Sequence, residues 1–475
     1  MRHFLEKIFK IKENNTSIRI ELLAGLTSFT SMVYILIFNA NLLSNPYGDG
    51  SNPLGISFGA VYISTALAAV VGNIFMSLVA NAPFAQATGV GLTSFFVYTV
   101  CLKFGYSYAN ALLLVLIGGV LFVITSSTKL KRIIISAIPY SVKVAMAPGV
   151  GLFVTFIALQ NSGIIVASVE NGASLGSFNF ISGEWKNVMP LLVAFVGFFV
   201  IGILSKKKVK RAILIGILVS IALYYLLGLT IDGFYEGIAK SIESFSLIRD
   251  FEAFGTEAFL QVFKGGFDFG PVIAQMGFAK FILVSVCLVL TFLFADIFDS
   301  FGFIYGVYDR YSLLAEENSL DGIYKTLRAD AMGSVSGALL GSSTVTTYVE
   351  SASGVASGAK TGLTPLFVAV LFLISMFFSP LAALIPNAAT AGALIYVGVI
   401  LIICVKKIDW GDLSMAVPAF LTIALIPFSY NVAYGLAFGM IAHIVINIFM
   451  GNIKKIRIST WIVAVVFLAI MMFTR

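Results

Sequence analysis

The second half of the chain contains the sequence Ser342-Ser-Thr-Val-Thr-Thr-Tyr-Val-Glu-Ser-Ala-Ser-Gly354, and the first half contains Ala82-Pro-Phe-Ala-Gln-Ala-Thr-Gly-Val-Gly-Leu-Thr-Ser94. Both stretches lie among apolar runs, yet both are short, rich in small residues and too polar for helices that face lipid. Irregular backbone at membrane depth must be buried in protein or line a cavity. The pair therefore predicts two broken segments, in the third and tenth spans, as secondary transporters place around a substrate site.

The composition supports this interpretation. Of the 475 residues, 59% are hydrophobic and 11% are charged, whereas about 25% of the residues of a soluble domain are charged. The mean hydropathy is +0.99, which is typical of a polytopic membrane protein. The net charge of +7 comes from short basic clusters between apolar runs, so it indicates topology and not a nucleic-acid partner. A transporter, a channel or an intramembrane enzyme fits these values.

Apolar runs and basic clusters predict an all-α protein with about fourteen membrane segments. The segments begin near Leu22, Ile56, Pro83, Ala109, Ile138, Val188, Ile213, Phe281, Ala331, Val345, Leu366, Ala388, Leu413 and Val432. The basic residues of the N-terminus and the clusters near 129–132, 206–211, 325–328, 406–407 and 454–457 are expected in the cytoplasm. This orientation suits a multi-pass protein of the cytoplasmic (inner) membrane with a cytoplasmic N-terminus.

The same features divide the chain. The expected parts are a cytoplasmic N-terminal tail (residues 1–20), a first repeat (21–230), an extracellular loop (231–279), a second repeat (280–450) and a C-terminal tail with a short apolar segment (451–475). The tail at 1–20 lacks the apolar core of a signal peptide, so the mature chain is expected to start at Met1. In the extracellular loop we expect a short surface helix around Glu257 to Phe263.

An internal repeat is indicated by two matching pairs of dipeptides. Ile138-Pro139 is followed by Val150-Gly151, and Ile385-Pro386 is followed at the same spacing by Val397-Gly398. About seven segments fall in each half, and an odd number forces the two copies to insert with opposite orientation. The sequence therefore predicts a seven-plus-seven inverted repeat.

Acidic residues inside apolar segments are the candidate functional groups, because such residues are costly in a membrane and tend to be functional or paired. Asp296 and Asp299 share one helix face, and Glu350 lies in the second broken segment. A carboxyl group in a dry cavity can bind and release a proton, and it can accept hydrogen bonds from a planar ligand. The alternative is that these acids are helix caps or partners of nearby Ser and Thr. Asp309 and Asp330, near predicted helix ends, are interpreted as caps.

The first broken segment carries no charge, so its chemistry would come from the backbone. If the chain enters extended and turns helical near Gly89, free N–H groups and the positive end of a helix dipole point into the cavity. The same is expected between Ser342 and Glu350. The three cysteines, Cys101, Cys287 and Cys404, are too far apart to suggest a metal site. We expect no cofactor and no metal.

The chain resembles the AzgA-like hypoxanthine/adenine/guanine permeases, which belong to the nucleobase-ascorbate transporter superfamily, over essentially its whole length. The matching stretches are Gly25-Leu-Thr-Ser-Phe29, Gly89 to Val100, Gly151 to Ile157, Thr291 to Asp299, Gly341 to Leu363 and Ala416 to Thr422. The resemblance implies fourteen spans in two inverted repeats, a core domain that moves against a gate domain, and proton-coupled uptake of a purine base. It also admits a homodimer formed through the gate domain.

The resemblance further implies where the base binds. The superfamily's binding acids on the eighth and tenth spans match Asp299 and Glu350, and its third-span contacts fall on residues 84–88. The expected base-binding residues are Asp299, Glu350, Phe84, Ala85, Gln86, Thr88, Phe301, Phe303, Thr347 and Val349. The expected proton-coupling residues are Asp299, Asp296 and Glu350, with Asp299 as the first candidate.

The sequence departs from the usual family pattern beside this site. Thr88 and Thr93 stand where purine permeases usually have proline and asparagine, and the bulky Phe301 follows Ser300. Another planar heterocycle is therefore an alternative substrate. An anion transporter of the same architecture, and an intramembrane enzyme that holds a metal between Asp296 and Asp299, are the alternatives from other classes.

Overall fold

The protein is described from a computed structural model. The described residues are 6–47, 50–128, 137–168, 172–176, 185–207, 209, 211–231, 234, 246–311, 319–348, 350–429 and 432–473. Within these ranges the chain is almost entirely helical, with two short antiparallel strand pairs.

The first half contains eight α-helices and three strands within the described ranges. They are α1 (Ile18–Met32), α2 (Tyr34–Ser44), α3 (Phe58–Phe75, continued by a π-helix Met76–Ala80), β1 (Gln86–Thr88), α4 (Val90–Ser94, continued by a π-helix Phe95–Lys103), α5 (Tyr108–Ser127), α6 (Tyr140–Asn161), β2 (Ile165–Ser168), β3 (Gly172–Leu175), α7 (Trp185–Lys206) and α8 (Ala212–Gly228).

The second half begins with three short helices and continues with longer ones. They are α9 (Leu247–Ala253, continued by a π-helix Phe254–Ala258), α10 (Gln261–Lys264), α11 (Gly270–Met276), α12 (Phe278–Tyr311), α13 (Ser319–Leu339), β4 (Val345–Thr347), α14 (Ser351–Ala356), α15 (Leu363–Ser375, continued by a 3-10 turn Met376–Phe378), α16 (Ser379–Ala382), α17 (Asn387–Ile402, continued by a 3-10 turn Ile403–Lys407), α18 (Leu413–Ser429), α19 (Val432–Phe449, followed by a 3-10 turn Ile453–Lys455) and α20 (Ile458–Phe473).

The membrane-protein prediction is confirmed. Among the described residues, eight helices are long and apolar enough to cross a bilayer, and four further apolar helices are shorter. The segment predicted to begin near Ala331 is already helical at Ser319, the first described residue after Tyr311. The described turns before Ala331 carry Asp321, Lys325 and Arg328, so no apolar run marks this part of the helix.

The two predicted broken segments meet each other. β1 pairs antiparallel with β4, with Gln86 opposite Thr347 and Thr88 opposite Val345. Extended backbone inside a membrane protein needs partners for its polar groups, and here each segment supplies them to the other. As predicted, each strand then turns into a helix, α4 after Gly89 and α14 after Glu350.

The matching dipeptides of the two halves also lie at equivalent places. Pro139 and Pro386 each precede the first residue of a helix, α6 and α17 respectively. These two helices cross where Gly151 meets Gly398: a Cβ added at Gly398 would lie 2.7 Å from the Gly151 carbonyl oxygen. Small residues at such a crossing let two helix backbones approach closely, so equivalent positions of the two halves form one contact.

The predicted extracellular loop is more closely packed than the sequence suggested. Its described part, residues 246–276, forms α9 to α11, and the expected surface helix is interrupted at Phe259 and Leu260. Ala258 and Val262 are fully buried, and the Leu260 N–H donates to the Leu339 carbonyl oxygen over 2.9 Å. Because buried apolar side chains anchor this segment, it covers the end of α13 and is not a free surface helix.

Candidate functional site

Asp330 lies at the centre of the region where the two broken segments meet. Its side chain is fully buried and accepts three hydrogen bonds: from Gln86 Nε2 at 2.9 Å, from Ser300 Oγ at 2.5 Å and from Thr347 Oγ1 at 2.6 Å. These donors come from β1, α12 and β4. Three donors aimed at one carboxyl group stabilise its ionised form, so Asp330 holds three separate elements together.

The prediction that Asp330 is a helix cap is therefore wrong. The residue lies in the interior of α13, which runs from Ser319 to Leu339, and its partners belong to other elements. The side chain of Asp309, the other expected cap, lies outside the described residues. The local sequence carried no signal for this role, because all three donors to Asp330 come from other elements.

Gln86 is fixed from several sides. Its N–H donates to Asn73 Oδ1 at 3.1 Å, and Asn73 Nδ2 donates to its carbonyl oxygen at 2.7 Å. Glycines on two neighbouring helices make room for its side chain, because a Cβ at Gly72 or Gly333 would lie 2.9 or 3.0 Å from Gln86 Oε1. In this conformation Gln86 Oε1 is a buried acceptor without a donor among the described residues.

Asp296 is held by a single hydroxyl group. Ser334 Oγ lies 2.6 Å from Asp296 Oδ2 and 2.9 Å from the Val345 carbonyl oxygen. A hydroxyl group has one proton to donate, so an ionised Asp296 competes with the carbonyl for it. A protonated Asp296 instead donates to Ser334, which then donates to Val345. The other oxygen, Asp296 Oδ1, is buried and without a hydrogen-bond partner among the described residues.

Asp299 lies on the same helix, one turn further on, and is half-buried. Its carboxyl group is near enough to those of Asp296 and Asp330 for their charges to repel one another. The Tyr348 hydroxyl group, which donates to the Thr88 carbonyl oxygen at 2.6 Å, interacts electrostatically with both Asp299 and Glu350. The two acids predicted from the sequence to bind the ligand therefore face one common tyrosine.

Glu350 directly precedes α14, the helical part of the second broken segment, and is 8% exposed. The Tyr34 hydroxyl group donates to Glu350 Oε1 over 2.8 Å. Tyr34 is the first residue of α2 and is itself buried. Nothing in the sequence singled out Tyr34, because a tyrosine in an apolar segment is ordinarily a packing residue.

The predicted aromatic residues fall into two places. The Phe84 and Phe303 rings pack edge to face, with their centroids 6.0 Å apart. The Phe301 ring lies under Lys143, whose Nζ is 5.6 Å from the ring centroid. Phe84 is fully buried, so in this conformation its ring faces protein and not an open cavity.

The remaining predicted residues join the two broken segments. The Ala85 N–H donates to Ser351 Oγ at 2.8 Å, and the Tyr348 N–H donates to the Ala85 carbonyl oxygen at 3.0 Å. Gly89 N–H donates to the Thr344 carbonyl oxygen at 2.9 Å. The expectation of free N–H groups is therefore wrong at Ala85, Gly89 and Tyr348, because the Ser351 hydroxyl group or the backbone of the opposite segment accepts these hydrogen bonds. Val349 lies outside the described residues.

The two threonines that depart from the family pattern have a structural explanation. Thr88 Oγ1 is 2.7 Å from Ser342 Oγ, and Thr93 Oγ1 is hydrogen-bonded to Ser343 Oγ. All four residues are fully buried. The departures therefore connect the two broken segments through hydroxyl pairs, and neither threonine has to contact a ligand.

The arrangement suits binding of a polar planar molecule and movement of protons. It offers carboxyl groups at Asp299 and Glu350, the unused oxygens of Gln86 and Asp296, and nearby aromatic rings. Among the described residues no group of three or more His, Cys, Asp or Glu side chains could hold a metal ion.

Comparison with known proteins gives three findings. The model of the Permease family matches residues 19–438. An adenine permease of Escherichia coli is 33% identical over 98% of this chain and 95% of its own length, and a guanine/hypoxanthine permease of Bacillus subtilis is 36% identical over 99% and 100%. The transmembrane domain of the cyanobacterial bicarbonate transporter BicA has a similar fold, with a TM-score of 0.57, 17% identity, and coverage of 90% of this chain and 97% of that domain.

Proposed function

Because the chain belongs to the Permease family, and is thus a membrane transporter and not an enzyme, we propose that it imports a purine nucleobase by secondary active transport. Relatives named for adenine and for guanine and hypoxanthine align over nearly the full length of this chain. The proposal covers adenine, guanine and hypoxanthine as a class. The likeness to BicA, at 17% identity, concerns the fold alone and gives no support to a bicarbonate-type anion.

The observation that carries the proposal is a set of buried oxygen atoms without donors next to the candidate acids. Gln86 Oε1 and Asp296 Oδ1 both lack a hydrogen-bond partner among the described residues. Buried polar atoms are normally satisfied, so orphaned acceptors suggest that a ligand or a proton completes them. Purine bases carry ring N–H groups, and adenine and guanine also carry an exocyclic amino group, and those are donors for such oxygens.

In the proposed complex Asp299 and Glu350 accept hydrogen bonds from the edge of the base. Gln86 contributes its free acceptor, and Phe84, Phe301 or Phe303 covers a face of the ring. The acids favour a neutral base over an anionic substrate, because the neighbouring carboxyl groups of Asp296, Asp299 and Asp330 repel an anion at short range.

We further propose that transport is coupled to protons. Asp296 has one donor, which another acceptor also uses, whereas Asp330 has three donors. The single shared donor at Asp296 is compatible with a protonated carboxyl group, whereas the three donors at Asp330 favour an ionised one. Asp299, half-buried and beside both acids, is the group proposed to bind and release the proton.

The proposed architecture has fourteen spans in two inverted repeats of seven, with a core domain that contains the broken segments and a gate domain around α6 and α17. Pairing of β1 with β4 and the contact of Gly151 with Gly398 support this symmetry. The basic clusters favour a cytoplasmic N-terminus. Since Phe84 and Gln86 are fully buried, access for a base requires the core to move relative to the gate, as alternating access describes.

The test is uptake of radiolabelled adenine, guanine and hypoxanthine by cells that express the protein and by proteoliposomes, with and without a proton ionophore. The competitor panel contains other purines, pyrimidines and bicarbonate. Accumulation of one purine that the ionophore abolishes supports both parts of the proposal. Accumulation that resists the ionophore contradicts the proton coupling alone, and failure to transport any purine contradicts the substrate class.

The role of Asp299 is tested with Asp299→Asn beside Asp409→Asn, a matched replacement of an exposed aspartate. We expect Asp299→Asn to abolish proton-driven accumulation, while Asp409→Asn transports like the unmodified protein. Exchange of labelled for unlabelled base across the membrane separates the two roles of Asp299. Exchange that persists in Asp299→Asn indicates a proton carrier, and exchange that is also lost indicates a base ligand.

A further inference from the structure

A basic cavity of about 250 Å³ lies away from the broken segments, between the start of α6 and the turn before α20. Its wall contains three side chains that can carry positive charge, Lys143, His443 and Arg457, together with the hydroxyl-bearing Tyr140 and Thr460. No carboxylate from the described part of the chain lines it. A cavity that has the cations Lys143 and Arg457 and no acid among its described lining residues is suited to a negatively charged ligand.

Two of the basic side chains of this cavity lie close together. Lys143 and Arg457 are near enough for their like charges to repel each other, so an anion between them relieves an unfavourable interaction. Lys143 is half-buried and Arg457 is exposed at the rim. The cavity therefore has one cation in its wall and one at its entrance.

Two long helices also begin at this cavity. Tyr140 is the first residue of α6, and α20 begins at Ile458, next to Arg457. The first N–H groups of a helix and the positive end of its dipole attract anions. Both helix ends add to the charge of Lys143 and Arg457, and an oxyanion with several acceptor oxygens, such as phosphate, matches donors from several directions.

We propose that this cavity binds the phosphate group of an anionic membrane lipid. Besides the cations, an apolar stripe begins directly after Arg457: Ile458, Ile462, Val465 and Leu468 are 80%, 61%, 61% and 44% exposed. Their spacing places them along one face of α20. A headgroup phosphate in the cavity places the acyl chains beside this stripe, so the charged and the apolar parts of a lipid each meet a matching surface.

Lys143 connects this cavity with the candidate transport site. Lys143 also lies over the Phe301 ring of α12, two residues beyond Asp299. A phosphate group in the cavity therefore contacts a lysine that also packs on the ring of an α12 residue. The proposal itself depends on the cavity and its charges, and it holds whichever substrate the protein carries.

The test measures thermal unfolding of the purified full chain in a neutral detergent while a ligand is titrated. The probes are short-chain phosphatidylglycerol, phosphatidylcholine of equal chain length, inorganic phosphate and adenosine monophosphate. The variants are Lys143→Gln and Arg457→Gln, with Lys206→Gln as the matched control, because Lys206 is an exposed lysine that does not line the cavity.

Phosphatidylglycerol should raise the unfolding midpoint of the unmodified protein and of Lys206→Gln, and phosphatidylcholine should not. Its apparent affinity should fall about fivefold in each cavity variant, the effect expected of one cation near an anionic headgroup. Equal responses of all variants, or equal responses to both lipids, would overturn the proposal. Stabilisation by inorganic phosphate or adenosine monophosphate and not by the lipid would overturn the lipid source and assign the cavity to a soluble phosphate ester.

Discussion

Gln86 Nε2 donates a hydrogen bond of 2.9 Å to Asp330 Oδ1, and the two residues are 244 positions apart in the sequence. The bond connects the first broken segment to α13, whose next turn also supports the second broken segment through Ser334. A shift of either strand would break it. The candidate site is therefore held by a network that extends across both halves of the chain.

Replacement of Asp330 by asparagine is expected to disrupt this network. The change removes the charge that Gln86, Ser300 and Thr347 stabilise, and hydrogen bonds to a charged group contribute about 1.5–3 kcal/mol each. We expect the initial rate of base uptake to fall about tenfold or more, with a lower unfolding midpoint in detergent. The matched control is Asp321→Asn on the same helix, where the side chain is 66% exposed and pairs with Lys325 over 3.0 Å. Equal behaviour of the two variants would contradict this role.

Replacement of Tyr34 by phenylalanine removes only the hydroxyl group that holds Glu350. If Glu350 binds the base, its loss of orientation should raise the KM for uptake about fivefold to tenfold, the equivalent of one buried hydrogen bond. The extent of accumulation at saturating base should remain, because the proton carrier is untouched. Tyr47→Phe, an exposed tyrosine, serves as the control in the same assay. An unchanged KM in Tyr34→Phe would show that Glu350 does not depend on this bond.

The crossing of α6 and α17 predicts a steric effect. In Gly398→Ala the new Cβ lies 2.7 Å from the Gly151 carbonyl oxygen and also overlaps the Thr155 side chain. Overpacking of this kind costs about 1–3 kcal/mol, so we expect a lower unfolding midpoint and slower uptake. Gly202→Ala on α7 is the control, since nothing lies within 4 Å of its Cβ. A Gly398→Ala protein as stable as Gly202→Ala would show that the crossing adjusts freely.

Glu21 predicts a stability effect away from the candidate site. It is fully buried and accepts hydrogen bonds from the N–H groups of Lys360 and Thr361 and from Thr364 Oγ1, at 3.0, 3.3 and 2.6 Å. In Glu21→Ala these donors lose a charged acceptor, and we expect a loss of about 3 kcal/mol, measured as a lower unfolding midpoint. Glu13→Ala, whose side chain is 69% exposed and pairs with Lys10, should stay near the unmodified value. A midpoint for Glu21→Ala that equals that of Glu13→Ala would contradict the role of Glu21.

Much of the fold could be predicted because a membrane imposes simple rules on sequence. Apolar length gives the helices, and the two polar, small-residue stretches at 82–94 and 342–354 gave the broken segments correctly. The helical turns between Ser319 and Ala331 were missed because they are charged. The packing of residues 246–276 was missed because isolated buried side chains such as Val262 leave no periodic pattern.

The sequence by itself determined the class of protein and its apolar segments, and it marked Asp296, Asp299 and Glu350 as candidate functional groups. Each of these depends on local composition and on the cost of charge in a membrane. Only the tertiary structure decided that Asp330 is a buried centre of hydrogen bonds and that Tyr34 holds Glu350. It also decided that Thr88 and Thr93 pair with serines of the other half. The physical reason is that a hydrogen bond depends on distance and direction between atoms, and the partners of these residues belong to elements that only the folded chain brings together.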